Sequence, residues 1–353
     1  NRRRVRSRIR GRGPTLGARM PTTRPQSAAA SAPAWIWWLA VAVAALRCLP
    51  GLATFALDAG PGNDLLHTGY IPKDALQYVA FARESATSGD WLVANPFTTE
   101  LQDGRFALPL MALLGHAARA LGGAPSTWLE LARIPLVLAW FAALWHLLAL
   151  FVAAPRERAL VLGAIALSGG VEVLVKPLGA WLPAEAQREL AQATWQMNGW
   201  TSFAAAYNPL WLAGGAGLFA LLAQALAPAH AAAWRSVAGL AAGSFALFVL
   251  HPYSAVALFA IAVAQIALPL VFERSAEPPA LGSPPARSVA PPLAGLALGG
   301  LAIAAFASWQ RADPVFARTA AEALGAQQLS PFWYPVVYGG LCVFALRGAR
   351  DWV

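Results

Sequence analysis

The hydrophobic pattern of the chain is a series of apolar stretches, most of them close to the length of a membrane-spanning helix, separated by polar intervals. A helix needs about 20 apolar residues to cross the hydrocarbon of a bilayer. The pattern therefore predicts an all-α fold, a polytopic membrane helical bundle with about eight spans. The predicted spans cover Trp35–Leu52, Leu131–Ala153, Ala159–Val175, Pro209–Leu226, Val237–Leu250, Ser254–Phe272, Pro292–Ser308 and Phe332–Leu346.

A further apolar stretch, Phe106–Leu121, is short and is interrupted by Pro109, His116 and Arg119. We predict that it forms an interfacial or partly embedded helix and not a span. If it crossed the membrane, the chain would have about nine spans, and every later loop would change sides.

The first long polar interval, Asp58–Arg105, carries seven acidic and three basic residues. Arginine and lysine favour cytoplasmic loops, so this interval is predicted to lie on the outer face and the amino terminus in the cytoplasm. With Phe106–Leu121 left out of the span count, the basic loops that follow all fall on the cytoplasmic side. Their arginines are Arg156, Arg158, Arg235, Arg274, Arg287, Arg347 and Arg350.

Composition supports a membrane protein, because 58% of the residues are hydrophobic and only 12% are charged. A soluble domain carries about 25% charged residues. Most of the formal net charge of +9 comes from eight arginines within residues 1–19. We predict that residues 1–33 form a basic, disordered tail. Its first part is either an arm that binds anionic lipid or upstream sequence before a true start at Met20. Nothing else in the chain supports nucleic-acid binding.

Residues 34–353 are predicted to form one transmembrane domain, in which 58–121 are the first outer loop and its juxtamembrane helices. The segment Glu273–Pro292 is rich in Pro, Ser and Ala and is predicted to be a linker. Cys48 and Cys342 both lie in apolar stretches, so the sequence offers no disulfide framework and no metal-binding spacing.

Capping patterns predict two helix starts near the outer loop. In Pro72–Gln77, Asp74 is placed to cap a helix, with Gln77 reaching back. Thr127 and Glu130 are spaced as a capping box at the start of the following span. A carboxylate at the mouth of a helix can also act as a general base. Capping and catalysis are therefore both open for Asp74.

Three ionisable residues in or at the ends of predicted spans are candidates for a functional role, because an unpaired charge there costs at least a few kcal/mol. Arg133 either pairs with Glu130, one turn away, or binds phosphate. Glu172 either pairs with Lys176 or belongs to a functional site. His251 either donates to a substrate or is an ordinary interfacial histidine before a helix-breaking proline.

Asp74, Tyr78 and the run Ser88-Gly89-Asp90-Trp91 form a spaced pattern in the first outer loop. This pattern resembles the GT-C glycosyltransferase superfamily, in particular the lipid-phosphosugar-dependent transferases akin to protein O-mannosyltransferases and aminoarabinose transferases. Those families show Asp-Glu-x-x-Tyr and then Ser-Gly-Asp-Trp-x-x-Pro at this place. The chain departs from the pattern at Ala75, where the family carries its second acid.

The same resemblance extends over about residues 35–155. A juxtamembrane helix and an arginine early in the next span belong to the family pattern, and Phe106–Leu121 and Arg133 occupy those positions. Many such enzymes carry more spans or a terminal domain. The chain is therefore expected to be either a short member or one that lacks a carboxy-terminal part.

The resemblance implies transfer of a sugar from a polyprenyl-phosphate donor to an envelope lipid, glycan or protein acceptor, at the outer face of a bacterial inner membrane. Asp74 would be the general base. Lys73, Tyr78, Arg133, Glu172 and His251 would contact the substrates. In some members a carboxylate also holds a divalent cation, and here Ala75 removes one acid of such a pair. Sugar, acceptor and oligomeric state stay open.

Two other functions remain open from the sequence. A transporter would show polar interruptions at the middle of several spans and repeated halves. Here His146 is the main polar residue at mid-span, and no repeat is visible. A non-catalytic envelope-assembly protein is the other alternative, because the second acid is missing at Ala75.

Overall fold

The computed structural model describes residues 31–58, 72–167, 183–187, 208–227, 233–272 and 289–325, and helices account for most of them. In the first long loop, β1 (Leu92–Val93) pairs antiparallel with β2 (Phe106–Ala107), with Leu92 opposite Ala107. The helices are α1 (Ala34–Asp58), α2 (Pro72–Ser88), α3 (Pro109–Leu121), α4 (Pro125–Leu148), α5 (Pro155–Leu167), α6 (Pro209–Leu226), α7 (Ala233–Leu250), α8 (Pro252–Phe272), α9 (Ala290–Arg311) and α10 (Pro314–Gly325).

Four helices of the described part, α4, α6, α7 and α9, are long and apolar enough to cross a membrane. Shorter apolar segments lie in α1, at Ala34–Leu46, and in α8, at Pro252–Ala264. Large apolar side chains project outward from these helices, as a lipid-facing surface requires. They include Trp38, Leu46, Leu131, Ile134, Val256, Ile261, Leu298 and Leu301. The chain is therefore a helical integral membrane protein.

The predicted spans agree with the helices most closely at α6, whose bounds are those expected from the sequence. The other spanning helices begin earlier than predicted; α4, for example, begins six residues before Leu131. The predicted span Phe332–Leu346 and the second part of Ala159–Val175 lie outside the described residues. The total of eight spans stays a prediction.

Seven of the described helices begin on a proline. Proline suits the first helical position, because its missing N–H would have no intrahelical partner there and its φ angle is already helical. This corrects two expectations. Helix α4 begins at Pro125, so Thr127 lies inside the helix and does not form the predicted capping box. Arg156 and Arg158, expected in a loop, lie in the first turn of α5, which begins at Pro155.

Helix α6 is the central helix of the bundle. In its apolar stretch of 18 residues, 56% of the residues are buried, whereas 17% are buried in the corresponding stretch of α7. Three glycines admit side chains from other parts of the chain: Gly214 faces His251, Gly215 faces Trp140, and Gly217 faces Leu247. A methyl group at Gly215 would lie 2.8 Å from Trp140 Nε1, closer than real contacts allow. Small residues of this kind let membrane helices approach closely.

Contacts along α6 define the directions of its neighbours. Helix α7 runs antiparallel to it, because Leu247 meets Gly217 whereas Gly239 meets Gln224. One end of the bundle, which we call the polar end, carries α2, α3, the β-hairpin loop, the first turn of α6, residue 251 and α10. There Tyr78 hydrogen-bonds Asn208, and the hairpin loop contacts the end of α9.

Helices α7 and α9 run parallel and cross at two glycines. Gly295 lies over Val237 and Leu240, and Gly299, one turn later, lies over Ser244. A Cβ atom at Gly295 would stand 2.8 Å from the carbonyl oxygen of Val237. Because that oxygen belongs to the backbone, it cannot rotate away. The crossing therefore depends on the absence of a side chain at this position.

We expect Gly295→Ala to lower the stability of the detergent-solubilised protein by about 1–3 kcal/mol, the usual cost of overpacking. Gly300→Ala is the matched control, because its new Cβ would be 3.8 Å from the nearest atom of Phe259, an ordinary contact. Both changes gain the same helix propensity. Thermal unfolding should show a lower Tm for Gly295→Ala alone, and equal Tm values for the two variants would contradict the crossing.

At the opposite end of the bundle, Arg158 is fully buried although it carries a charge. Its Nε donates to the carbonyl of Val152 at 3.1 Å and its Nη2 to that of Ala153 at 3.3 Å. Its guanidinium lies 4.7 Å from the ring centroid of Trp145. Arg158 therefore satisfies carbonyls that follow the end of α4, where a positive charge also suits the helix dipole.

The polar end is held together by an α2–α3 helix pair and an aromatic chain. Helix α3 has 13 residues, so it is about 20 Å long, shorter than the bilayer hydrocarbon of about 30 Å. Phe106 of β2 packs on Phe81 of α2 at 5.7 Å and on Phe316 of α10 at 5.0 Å between ring centroids. These contacts join the first long loop to helices far away in sequence.

Candidate functional site at the polar end

The structure describes only part of the predicted site. Tyr78, Arg133 and His251 are described in full, whereas the side chains of Lys73 and Asp74 and all of Glu172 lie outside the described residues. Among the described residues, no group of three or more His, Cys, Asp and Glu side chains is placed to hold a metal ion. The described residues therefore provide no ligand set for the divalent cation that the sequence left possible.

The position of Asp74 differs from the predicted helix cap. Helix α2 begins at Pro72, so the backbone of Asp74 lies in the first turn and not at the capping position before it. The reason is again the preference of proline for the first helical position. An acid in the first turn faces unpaired backbone N–H groups and the positive end of the helix dipole. This placement at the mouth of α2 is compatible with either a structural or a chemical role.

Tyr78 joins α2 to the central helix. It lies four residues after Asp74, so the two residues share one face of α2. The amide nitrogen of Asn208 donates to the Tyr78 hydroxyl at 3.1 Å, and the amide oxygen accepts from the N–H of Leu210 at 2.9 Å. Asn208 precedes Pro209, a turn and cap signal in the sequence, and the structure confirms it as the cap of α6. The buried Asn208 thus fixes α2 and α6 together.

His251 occupies the one-residue break between α7 and α8. Its Nδ1 is 2.8 Å from the hydroxyl of Ser254, and its ring fills the space left open by Gly214. Burial lowers the pKa of His251 to about 4, so the ring is neutral at pH 7. A neutral imidazole can donate or accept one hydrogen bond, but it brings no positive charge to a phosphate.

Arg133 is buried in α4 about 12 Å from the beginning of the helix. It forms an ion pair with Glu130, the i,i+3 partner expected from the sequence. The thiol of Cys48 lies 3.9 Å from the backbone carbonyl of Glu130, which brings α1 to the same level. Next to Arg133, Ala132 packs on the apolar cluster that also includes Tyr78 and residues of α6. The buried pair therefore borders the same part of the bundle as the Tyr78–Asn208 contact.

A seam of polar contacts ties the first long loop to the corner between α9 and α10. Asp313 accepts from the N–H of Asp103 at 2.8 Å and from the N–H of Val315 at 2.8 Å. Arg105 donates to the carbonyl of Trp309 at 2.5 Å and to the carboxylate of Asp103 at 2.6 Å. The contacts of Asp103 with Asp313 and of Arg105 with Trp309 connect residues more than 200 positions apart in the sequence.

Asp313 is the buried acid at the centre of this seam. Burial alone would raise the pKa of its carboxyl group. The backbone N–H groups of Asp103, Phe316 and Val315, together with the charge of Arg105, outweigh that effect and lower the pKa below its usual value. Sequence reasoning missed Asp313 and helix α10. The available signal was Asp313-Pro314, an N-cap residue followed by a proline at the first helical position.

The exposed edge of the seam is an ion pair between Glu100 and Arg318. One guanidinium nitrogen of Arg318 lies 2.6 Å from both carboxylate oxygens of Glu100. The hydrogen bond from Arg318 lowers the pKa of Glu100, and burial opposes that effect. Because both side chains are exposed, the pair is screened by salt and mainly orients the loop.

The run Ser88-Gly89-Asp90-Trp91 forms the corner between α2 and the β-hairpin. Gly89 has a φ angle of +82°, which favours glycine, and donates its N–H to the carbonyl of Ser85 at 2.9 Å. The Ser85 hydroxyl donates to the carbonyl of Asp90 at 2.6 Å. Trp91 then stacks on His116 of α3 with ring centroids 4.5 Å apart. In this structure the run ends α2 and fastens the loop to α3.

Comparison of the chain with protein-family models, with curated proteins and with solved structures finds no match in any of the three. Support for a function therefore comes from the sequence pattern and from the geometry of the polar end. That geometry places Tyr78, Asn208 and His251 around the first two turns of α6, with the Arg133–Glu130 pair on the adjacent α4.

We expect Asp313→Ala to release the loop from the α9–α10 corner. Loss of a cap costs about 0.5–2 kcal/mol, so amides of the seam should exchange with deuterium about two- to thirtyfold faster at pH 7. Peptides covering residues 100–106 and 313–319 report this in hydrogen-exchange mass spectrometry. Asp90→Ala, which removes an exposed acid of the same loop, should leave their exchange unchanged.

The seam should also weaken in acid. Because the pKa of Asp313 is lower in the folded protein than the unfolded value of about 3.9, its stabilising effect is present above that value and is lost as the pH falls through the folded pKa. Asp313→Asn keeps the shape but not the charge. It should therefore show less change of seam protection on acidification, and equal acid sensitivity of both proteins would contradict the role of this carboxylate.

His251 should make the stability of the folded protein depend on pH in a higher range than Asp313 does. Its pKa of about 4 lies below the unfolded value of about 6.5, so its contribution is complete above pH 6.5 and is lost as the pH falls toward 4. The total loss is up to about 3 kcal/mol. His251→Gln should unfold with a flatter pH dependence between pH 7 and 4.5, and a slope equal to that of the wild-type protein would contradict the effect of burial on this ring.

Proposed function

We propose that the chain is a membrane glycosyltransferase of the GT-C type, which moves a sugar from a polyprenyl-phosphate donor to an acceptor of the cell envelope. The observation that carries this proposal is the position of α2. Its first turn, which contains Asp74, lies at the polar end of a helical membrane bundle, and Tyr78 on the same face is tied to the cap of the central helix. A carboxylate placed at that point is close to the membrane surface, where a lipid-linked donor has its headgroup.

In the proposed reaction, a hydroxyl or amine of the acceptor attacks the anomeric carbon of the sugar. A bond forms between the acceptor and that carbon, and the bond from the carbon to the phosphate oxygen breaks. The electron pair leaves with the polyprenyl phosphate, and the acceptor proton passes to Asp74 as general base. No step requires a redox partner, and none is routed through a metal ion.

The leaving phosphate needs positive charge or hydrogen-bond donors nearby. Arg133 is the buried cation closest in sequence to the polar end of α4, and its pairing with Glu130 keeps it charged in an apolar setting. Lys73, next to Asp74, is the second cationic candidate. His251 would act only as a neutral hydrogen-bond donor, because burial keeps its pKa at about 4. Glu172 is included in the proposal only because of its place in the sequence, since it lies outside the described residues.

One observation favours a second function. Ala75 stands where the resembling families carry a second acid, and the Ser88–Trp91 run has a structural use as a helix-ending corner. A protein that keeps the scaffold without the full acid pair could help to assemble envelope polymers without transferring sugar. A transporter has less support, because the sequence shows neither repeated halves nor many polar residues at mid-span.

We expect Asp74→Asn to reduce release of polyprenyl phosphate by about 10²–10⁴-fold, the usual contribution of a general base. The assay uses the purified protein in nanodiscs with added envelope extract and a panel of labelled polyprenyl-phosphate hexoses and pentoses. Glu157→Gln, an exposed acid at the opposite end of the bundle, is the control and should retain activity.

The outcomes of this assay separate the two functions. Unchanged release by Asp74→Asn would remove Asp74 as the base while leaving a transferase. Failure of the wild-type protein to consume any donor of the panel would support the non-catalytic alternative.

A further inference from the structure

Leu101 is a large apolar residue that projects fully from the polar end, with 99% of its surface exposed. Phe97, four residues earlier in the same loop, is 57% exposed. An exposed apolar residue by itself is ordinary, but apolar surface held together on one loop can mark a protein or membrane interaction site. This pair is not needed for the proposed chemistry, so it invites a separate explanation.

The backbone on both sides of Leu101 is held in place. Glu100 pairs with Arg318 of α10, and the N–H of Asp103 donates to the buried Asp313. Between them, the side chain of Gln102 bonds the backbone of Asn95 twice, at 2.7 and 3.1 Å. The loop therefore presents Leu101 in a fixed position, and a partner would not have to order the loop on binding.

The loop that carries Leu101 also contacts the end of a membrane-spanning helix. Arg105, four residues later, stacks 5.2 Å from the ring centroid of Trp309 and bonds its carbonyl, while Gln310 donates to the carbonyl of Arg105 at 2.9 Å. Trp309 and Gln310 belong to the last turn of α9, one of the membrane-spanning helices. Tryptophan at a helix end is typical of the membrane–water interface.

We propose that Leu101 and Phe97 insert into the boundary between headgroups and acyl chains and anchor the first outer loop to the bilayer surface. The charges beside Leu101 permit this approach, because Glu100 is paired with Arg318 and Asp103 with Arg105. The loop thus brings apolar surface to the interface without an unpaired acid next to it. The proposal needs only a bundle that spans the membrane and does not depend on sugar transfer.

A spin label at Leu101→Cys tests the contact directly. The full chain, with Cys48→Ala and Cys342→Ala, is placed in nanodiscs of phosphatidylcholine and phosphatidylglycerol. We expect the ratio of collisions with oxygen to collisions with a water-soluble nickel chelate to be several-fold higher at position 101 than at Thr99→Cys. Thr99 is an exposed polar residue of the same loop. Equal ratios would overturn the proposal, and they would also be the result if position 101 served a soluble protein partner.

A second variant tests whether the loop is presented in a fixed position. Adding Arg318→Ala and Asp313→Ala to the labelled protein removes both anchors. We expect faster motion of the label in its spectrum and a lower oxygen-to-nickel ratio. An unchanged spectrum would show that the seam does not position Leu101 and would overturn that part of the proposal. Because Leu101 is fully exposed, its replacement should not affect folding, and thermal unfolding of the labelled protein checks this.

Discussion

The structure depends on the close approach of bulky side chains to the glycine face of α6. Helices in a bilayer gain little from hydrophobic burial against one another, because lipid is as apolar as a leucine side chain. Their association relies on shape. Gly214, Gly215 and Gly217 give α6 three recesses within four residues, and His251, Trp140 and Leu247 fill them. A single helix thereby fixes α4, α7 and the break before α8.

The arrangement of the polar end follows from that central packing. Because α6 is held on several sides, its capping residue Asn208 has a fixed place, and Tyr78 of α2 can bond to it. The other support of the loop comes from the α9–α10 corner through Asp313. Among the described residues, these two polar contacts tie the loop and α2 to the ends of spanning helices. These contacts therefore also fix the position of any reactive group on the first turn of α2.

The sequence predicts this fold well where one helix alone decides the pattern. The bounds of α6 and the i,i+3 pair of Glu130 with Arg133 needed only local spacing, and both are confirmed. Capping residues predict the starts of α2 and α4 too late. Both predictions were wrong because each helix begins on a proline that precedes the predicted cap, Pro72 before Asp74 and Pro125 before Thr127.

The contacts of the candidate site were harder to predict, because they join residues that are distant in the chain. Asp103 and Asp313 are 210 positions apart, and no local pattern relates them. Asn208 and Tyr78 are 130 positions apart, and the local pattern around each residue does not relate it to the other. The role of Ser88-Gly89-Asp90-Trp91 as a corner likewise depends on α3, which a linear motif does not specify. Chemistry assigned to Asp74 stays a prediction.

The burial of Arg158 has a consequence for how such chains are oriented. Rules of membrane insertion count the arginines of a loop as charges free to interact with the translocation machinery and lipid headgroups. In the folded protein Arg158 is enclosed by the carbonyls of Val152 and Ala153 and by the ring of Trp145. Its charge belongs to the interior of the fold. The folded bundle therefore exposes fewer charges at this end than its sequence contains.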